Sequence, residues 1–121
     1  MTKNIMQFST YVLDESLKKK RVEKEKLRKY TLKKLDTILS EMSQIIFFKD
    51  AYIFGSITKP HQFTEESDVD IAFLGLDDKD FFKAMSFISG QLERDVDIIQ
   101  IENHRLSDKV VKEGIKWTRK Y

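Results

Sequence analysis

From about Tyr11 to Phe47 the chain contains neither Gly nor Pro, and Leu27, Thr31, Leu35, Ile38, Met42 and Ile45 recur at spacings of three and four. That period predicts a helix with one apolar face. Between Leu17 and Leu27 the stripe is interrupted, with only Val22 to continue it, yet nothing from Lys18 to Arg28 forms turns. One long helix with a poorly buried basic section is therefore expected rather than two that meet there. Beyond Lys49-Asp50 the period shortens. Ala51 to Phe54 is a short apolar strand stopped by Gly55-Ser56. Ser67 to Leu74 sets Asp68, Asp70 and Ala72 against Val69, Ile71 and Phe73. Such alternation marks a strand buried on one face. Asp77 and Asp78 then precede a helical face of Phe81, Met85, Ile88 and Leu92, and are its capping candidates. Arg94 to Glu102 alternates again, and Leu106, Val110, Gly114, Trp117 and Tyr121 return to helical spacing. The expected order is helix, strand, strand, helix, strand, helix: an α/β (α+β) domain with one small sheet.

At 121 residues one domain is expected, with residues 1–47 a largely helical extension and 48–121 the sheet-bearing core. Apolar residues make up 40% of the chain and charged residues 35%, an ordinary composition for a soluble domain. The absence of Cys excludes disulfides, thiol nucleophiles and thiolate metal sites. The apolar run Ile45 to Phe48 is too short to span a bilayer, and Met1-Thr2-Lys3-Asn4 lacks the apolar stretch of a signal peptide. A cytoplasmic protein without a membrane partner is the expectation. The net charge of +2 hides an asymmetry: Lys18 to Lys34 carries ten Lys or Arg against two Glu, whereas Asp dominates from Asp50 to Asp97. This run is either a solvated helix face or a surface for an anionic partner.

Asp68-Val69-Asp70-Ile71 is echoed by Asp95-Val96-Asp97-Ile98. Residues two apart in a strand point to one side, separated by about 6.5 Å. Asp68 and Asp70 can thus converge in front of the sheet, joined by a third carboxylate if the second echo lies alongside. Three such anions at ~4 to 5 Å repel by several kcal/mol in a partly screened site, and a divalent cation offsets this. All-oxygen ligands indicate Mg²⁺ or Mn²⁺ rather than zinc. Solvent-facing aspartates are the plain alternative, but Asp is a poor strand former, and four in two strands require a reason. Gly55-Ser56, following directly on an apolar strand, adds N–H groups and a hydroxyl that could hold a phosphate nearby.

Phe54-Gly55-Ser56, Ser67-Asp68-Val69-Asp70 and Val96-Asp97-Ile98 together resemble the minimal nucleotidyltransferases of the polymerase-β superfamily, from about Ile38 to the C-terminus. Among these the resemblance is closest to the antitoxin partners of HEPN ribonuclease toxins. It implies a small mixed sheet packed by helices and a reaction that moves AMP from ATP to a tyrosine hydroxyl of a cognate HEPN toxin, silencing it in a hetero-oligomer. Gly55 and Ser56 would bind the triphosphate, and Asp68 and Asp70 two Mg²⁺ ions. Asp97 would bind one metal and help deprotonate the attacking hydroxyl. Ser67 either simply starts its strand or, placed with the nucleotide site, orients Asp68 through its hydroxyl. Where the family commonly has Arg-Gly, this chain reads Ile57-Thr58-Lys59-Pro60, so Lys59 is the candidate phosphate cation. Eleven residues separate Ser56 from Asp68, a long loop for this pattern. Asp95 rivals Asp97; Asp97 is preferred because the family's third Asp directly precedes an apolar pair, here Ile98-Ile99. Three alternatives remain: an antitoxin that acts by docking alone, a nucleotide sensor, and a transferase with a small-molecule or RNA acceptor. RNA enters otherwise only through the toxin. His61 and His104 are expected in exposed loops, Glu65 and Glu66 as solvated charges, and Trp117 and Tyr121 on the packed face of the last helix.

Overall fold

The structure, a computed structural model, describes residues 2–102 and 104–119. A single helix α1 (Thr2–Met42) spans 41 residues, or about 60 Å at 1.5 Å per residue. Only its C-terminal part is packed: Leu35, Ile38, Leu39 and Met42 are buried, with Leu27 and Leu32 partly so, whereas residues 12–23 are all exposed. The apolar stripe thus settles where α1 docks, and its interruption marks where the helix leaves the body.

Ile45 is the first departure from the expected pattern. The helix ends at Met42, so Ile45 falls in the following turn and is exposed, while Ile46 enters the core and donates its N–H to Met42 O at 2.9 Å. Ser40 Oγ donates to Asp36 O and Ser43 Oγ to Ser40 O, both at 2.7 Å. Hydroxyls that take up main-chain carbonyls in this way weaken a helix, and the β-branched and aromatic run Ile45 to Phe48 favours extended chain.

Four strands follow: β1 (Asp50–Phe54), β2 (Val69–Leu74), β3 (Val96–Gln100) and β4 (Ile115–Trp117), in the order β3-β2-β1-β4. β1 pairs antiparallel with β2 and β4, and β2 runs parallel to β3. The β2–β3 connection is α2 (Phe81–Leu92), as a parallel pair requires a crossover. One sheet face carries Ile53, Val69, Ile71, Phe73, Val96 and Ile98 into the main core with α1 and with Ala84, Ile88 and Leu92 of α2. Phe48 closes this core, with its ring 5.1 Å from that of Phe73 and 5.4 Å from that of Trp117. The opposite face is thinly covered. There Tyr52, Ala72, Ile101 and Val110 form a small cluster under the short helix α3 (Ser107–Glu113).

The last segment differs from its helical spacing. α3 stops at Glu113, and Ile115–Trp117 pairs with Ala51–Ile53 as β4. Gly114 permits the switch, because a Cβ there would press on the carbonyls of Val110 and Ile53. Trp117 is in the core as expected, at 5% exposure, but on a strand; Tyr121 lies outside the described residues. Nor do Asp77 and Asp78 cap α2 with their side chains. A 3-10 turn, Asp78–Asp80, intervenes, and Asp78 Oδ1 instead accepts from Gln100 Nε2 at 2.7 Å. No described helix is long and apolar enough to cross a membrane.

Candidate nucleotidyl-transfer site

The strand register decides which carboxylates meet. In the parallel pair β2/β3, Asp70 stands opposite Asp97, and Val69 opposite Val96. Valines and isoleucines enter the main core, so the aspartates are left on the thinly covered face. Asp68 precedes β2 by one residue on that same side. Asp70 is half-buried, while Asp68 and Asp97 are exposed. Burial pushes the Asp70 carboxyl up to about 6, and the negative charges of Asp97 and Asp68 push it the same way. Asp95 lies outside β3, and its carbonyl accepts from Val69 N at 3.1 Å.

Phe54 is the register partner of Asp70 on the other flank. Directly after it, Gly55–Thr58 forms a 3-10 turn rather than the opening of a longer helix. Gly55 has φ +82, and a Cβ at this position would collide with a carboxylate oxygen of Asp70. Glycine is thus required twice, for the left-handed backbone and for the approach to Asp70. Thr58 Oγ1 closes the turn on Gly55 O at 2.7 Å, and Lys59 N donates to Ser56 O at 3.1 Å. The first N–H groups of such a turn have no partner within it. Alongside lies a cavity of about 200 Å³ between Phe54, Gly55, Thr58 and Lys59 on one wall and Leu106, Lys109, Val110 and Glu113 on the other. Its apolar sides suit an organic group, and its charged lining is mixed, with Lys59 and Lys109 set against the Glu113 carboxylate.

Ser67 is not drawn into this cavity's lining. Its hydroxyl accepts from Thr64 N at 3.0 Å and meets Thr64 Oγ1 at 3.1 Å, inside the loop that leads to Asp68. That loop is held by side chains that no pattern in the sequence singled out. Arg94 Nη1 donates to Thr64 O at 2.8 Å and Ser67 O at 2.6 Å, with its guanidinium 4.5 Å from the Phe63 ring centre. From α1, Arg28 Nε donates to Ile57 O at 2.7 Å, and Glu25 Oε1 accepts from His61 N at 3.0 Å. This bond from the His61 main chain holds the Glu25 carboxyl below its ordinary range, and the Arg28 charge adds to it. The one sequence signal was a Glu-x-x-Arg pair flanking Leu27, where the apolar stripe begins. His61 is exposed, as expected; His104 is half-buried and its Nδ1 accepts from Leu106 N at 3.1 Å. Glu65 and Glu66 are exposed.

Among the described residues, no three His, Cys, Asp or Glu side chains are gathered tightly enough to grip an ion. The donor set nonetheless fits a hard divalent cation: carboxylate oxygens alone, two of them exposed and the third made reluctant to ionise by burial and then by its charged neighbours.

Residues 33–119 match the polymerase beta nucleotidyltransferase family, and the chain belongs to it. Among solved structures, the chain is similar to one described as a toxin–antitoxin with AMP-PNP, at 25% identity and a TM-score of 0.57 over 72% of this chain and 73% of that one. A mutant of the toxin–antitoxin MntA-HpeT is 27% identical with a TM-score of 0.55, over 73% of this chain and 72% of that one. A protein from Shewanella oneidensis, at 24% identity and a TM-score of 0.50 over 72% of this chain and 70% of that one, shares the fold. No curated protein matches the sequence.

Proposed function

We propose that this chain is an antitoxin that transfers AMP from ATP to a tyrosine hydroxyl of a cognate HEPN ribonuclease toxin and thereby neutralises it. The observation that carries the reading is the convergence of Asp70, its register partner Asp97 and the Gly55–Thr58 turn at one end of the open sheet face. Similarity to chains of toxin–antitoxin complexes, one of them with AMP-PNP, supports the partner and the nucleotide.

In this reading Gly55, Ser56 and Lys59 hold the triphosphate, and the adjoining cavity takes the nucleoside. The acceptor oxygen bonds to the α-phosphorus while the bond from that phosphorus to the bridging oxygen breaks. Pyrophosphate leaves with the electron pair, and Asp97, the more exposed of the register pair, takes the hydroxyl proton. Asp68, Asp70 and Asp97 would hold two Mg²⁺ ions, whose charge supports the attacking and leaving oxygens. Positioning and charge carry such a reaction, so neither His nor Cys is needed.

The test is transfer of label from ATP labelled at the α-phosphate, with Mg²⁺ and the toxin, beside the double variant Asp68→Asn/Asp70→Asn. Label on the toxin that disappears in the double variant is the expected result. No label, with the toxin neutralised equally by both proteins, would leave an antitoxin that acts by docking alone.

A further inference from the structure

In the basic stretch of α1, Lys19, Lys20 and Arg21 are exposed, and so are Lys26 and Lys29. Arg28 and Glu25 behave differently. Their side chains are only 18% and 24% exposed, and they pair with each other at 3.3 Å across one helical turn. Together they reach two points four residues apart on the segment after Gly55-Ser56: the Ile57 carbonyl, from Arg28, and the His61 N–H, from Glu25. Ile57 is fully buried within the 3-10 turn, and His61 has φ +64, where the chain reverses. Both anchoring residues precede residue 33, where the match to the family begins.

We propose that Glu25 and Arg28 are positioning residues that fix the phosphate-binding turn from outside the family core. This rests on the reading of Gly55-Ser56 as the site of the nucleotide's phosphates. A turn of four residues has few internal bonds, and its N–H groups serve a phosphate only if their directions are set beforehand. The Arg28 bond fixes the peptide plane that follows Ile57, and the Glu25 bond stops the next residues from drawing that plane away. Arg28 supplies a planar group able to bond the carbonyl through Nε and the carboxylate through Nη1 at once. A lysine ammonium can reach one of these with less directional control. Of the many cations on α1, this one is therefore engaged in the site while its neighbours face water.

The test uses the full chain and measures binding of a non-hydrolysable ATP analogue with Mg²⁺, together with KM and kcat for transfer. Arg28→Ala is expected to raise the dissociation constant and KM by roughly tenfold, the scale of one charge-assisted hydrogen bond. At saturating ATP, kcat should remain within about threefold of the wild type on the same scale. Arg28→Lys should recover part of the loss and Glu25→Gln show a smaller one, while Lys19→Ala on the exposed face changes neither constant. Amide hydrogen exchange should quicken over residues 55–61 in Arg28→Ala and stay unchanged in β1 and β2. If Arg28→Ala or, should that variant fail to fold, Glu25→Gln binds the analogue as tightly as the wild type, the proposal is overturned. Exchange that quickens equally across the whole sheet would also overturn it, because the pair would then be merely structural. Wild-type protein that binds the analogue but transfers nothing would count against the transferase reading alone, leaving binding to decide the clamp. A wild type that binds no analogue would remove both.

Discussion

Asp68-Val69-Asp70-Ile71 and Asp95-Val96-Asp97-Ile98 are the same four residues in the same order, yet the fold treats them differently. β2 lies between two strands and β3 at the edge, in the order β3-β2-β1-β4. Asp70 therefore has a strand on either flank, with Gly55 against its carboxylate, and is half-buried; Asp97 has one neighbour and is exposed. The leading residues diverge further. Asp68 joins the field around Asp70, whereas Asp95 engages the site's strand only through its carbonyl. Identical sequence gives identical alternation of faces, and the neighbours alone decide which carboxylate is strained.

The sharpest way to break this asymmetry is to neutralise the four aspartates one at a time. Asp68→Asn and Asp70→Asn are each expected to lower transfer by roughly 10³-fold or more, Asp97→Asn by about 10²- to 10³-fold, and Asp95→Asn by less than about twofold. Equal losses for Asp95 and Asp97 in an α-labelled ATP assay would show that the echoes are functionally equivalent. Next in size is Gly55→Ala, which forces a side chain into a left-handed backbone and onto Asp70. It should cost about 1–3 kcal/mol in urea unfolding and abolish most activity. An unchanged unfolding midpoint would mean that the turn yields freely.

A smaller effect lies in the pH dependence of the metal-free protein. Because the Asp70 carboxyl titrates near 6 when folded but near its ordinary value when unfolded, the folded state retains a proton that the unfolded state has released. Its contribution to stability is therefore highest at about pH 4 or below and falls as pH rises to about 6. Allowing for solvent screening at a half-exposed group, the fall is on the order of 1 kcal/mol. Asp70→Asn should remove this slope and melt higher than the wild type at pH 8 without metal, even as it lowers transfer. A parallel pH profile for the two proteins would contradict the assignment. The smallest effect concerns the neighbours. Asp97→Asn should move the Asp70 titration down, by less than burial has raised it, and Asp95→Asn should not move it; carboxyl NMR titration distinguishes them.

Much of this was legible in the sequence because strand alternation is a strong local signal. Val69, Ile71, Val96 and Ile98 needed a core, which left the aspartates one direction to point. The Gly55-Ser56 stop was equally plain. What the sequence concealed depends on contacts distant along the chain. β4 is three residues long, and Trp117 keeps helical spacing from Val110 through Gly114, so its strand pairing with β1 left no periodic trace. The grip of Arg28 on Ile57 spans 29 residues, and that of Arg94 on Thr64 spans 30. Arg28 sits among solvated cations with only its Glu-x-x-Arg pairing to set it apart, Arg94 sits between two acidic residues, and only the packed structure reveals that both turn inward.

The length of α1 has a further consequence for how the molecule moves in solution. A compact chain of this size has a radius of gyration of about 14 Å, less than a quarter of the ~60 Å that α1 spans. Reorientation is therefore anisotropic: rotation about the α1 axis is quicker than end-over-end tumbling, and the amide vectors along that helix report the slow component. The exposed residues 12–19 lie far from the centre of mass and add much to the rotational drag for few atoms.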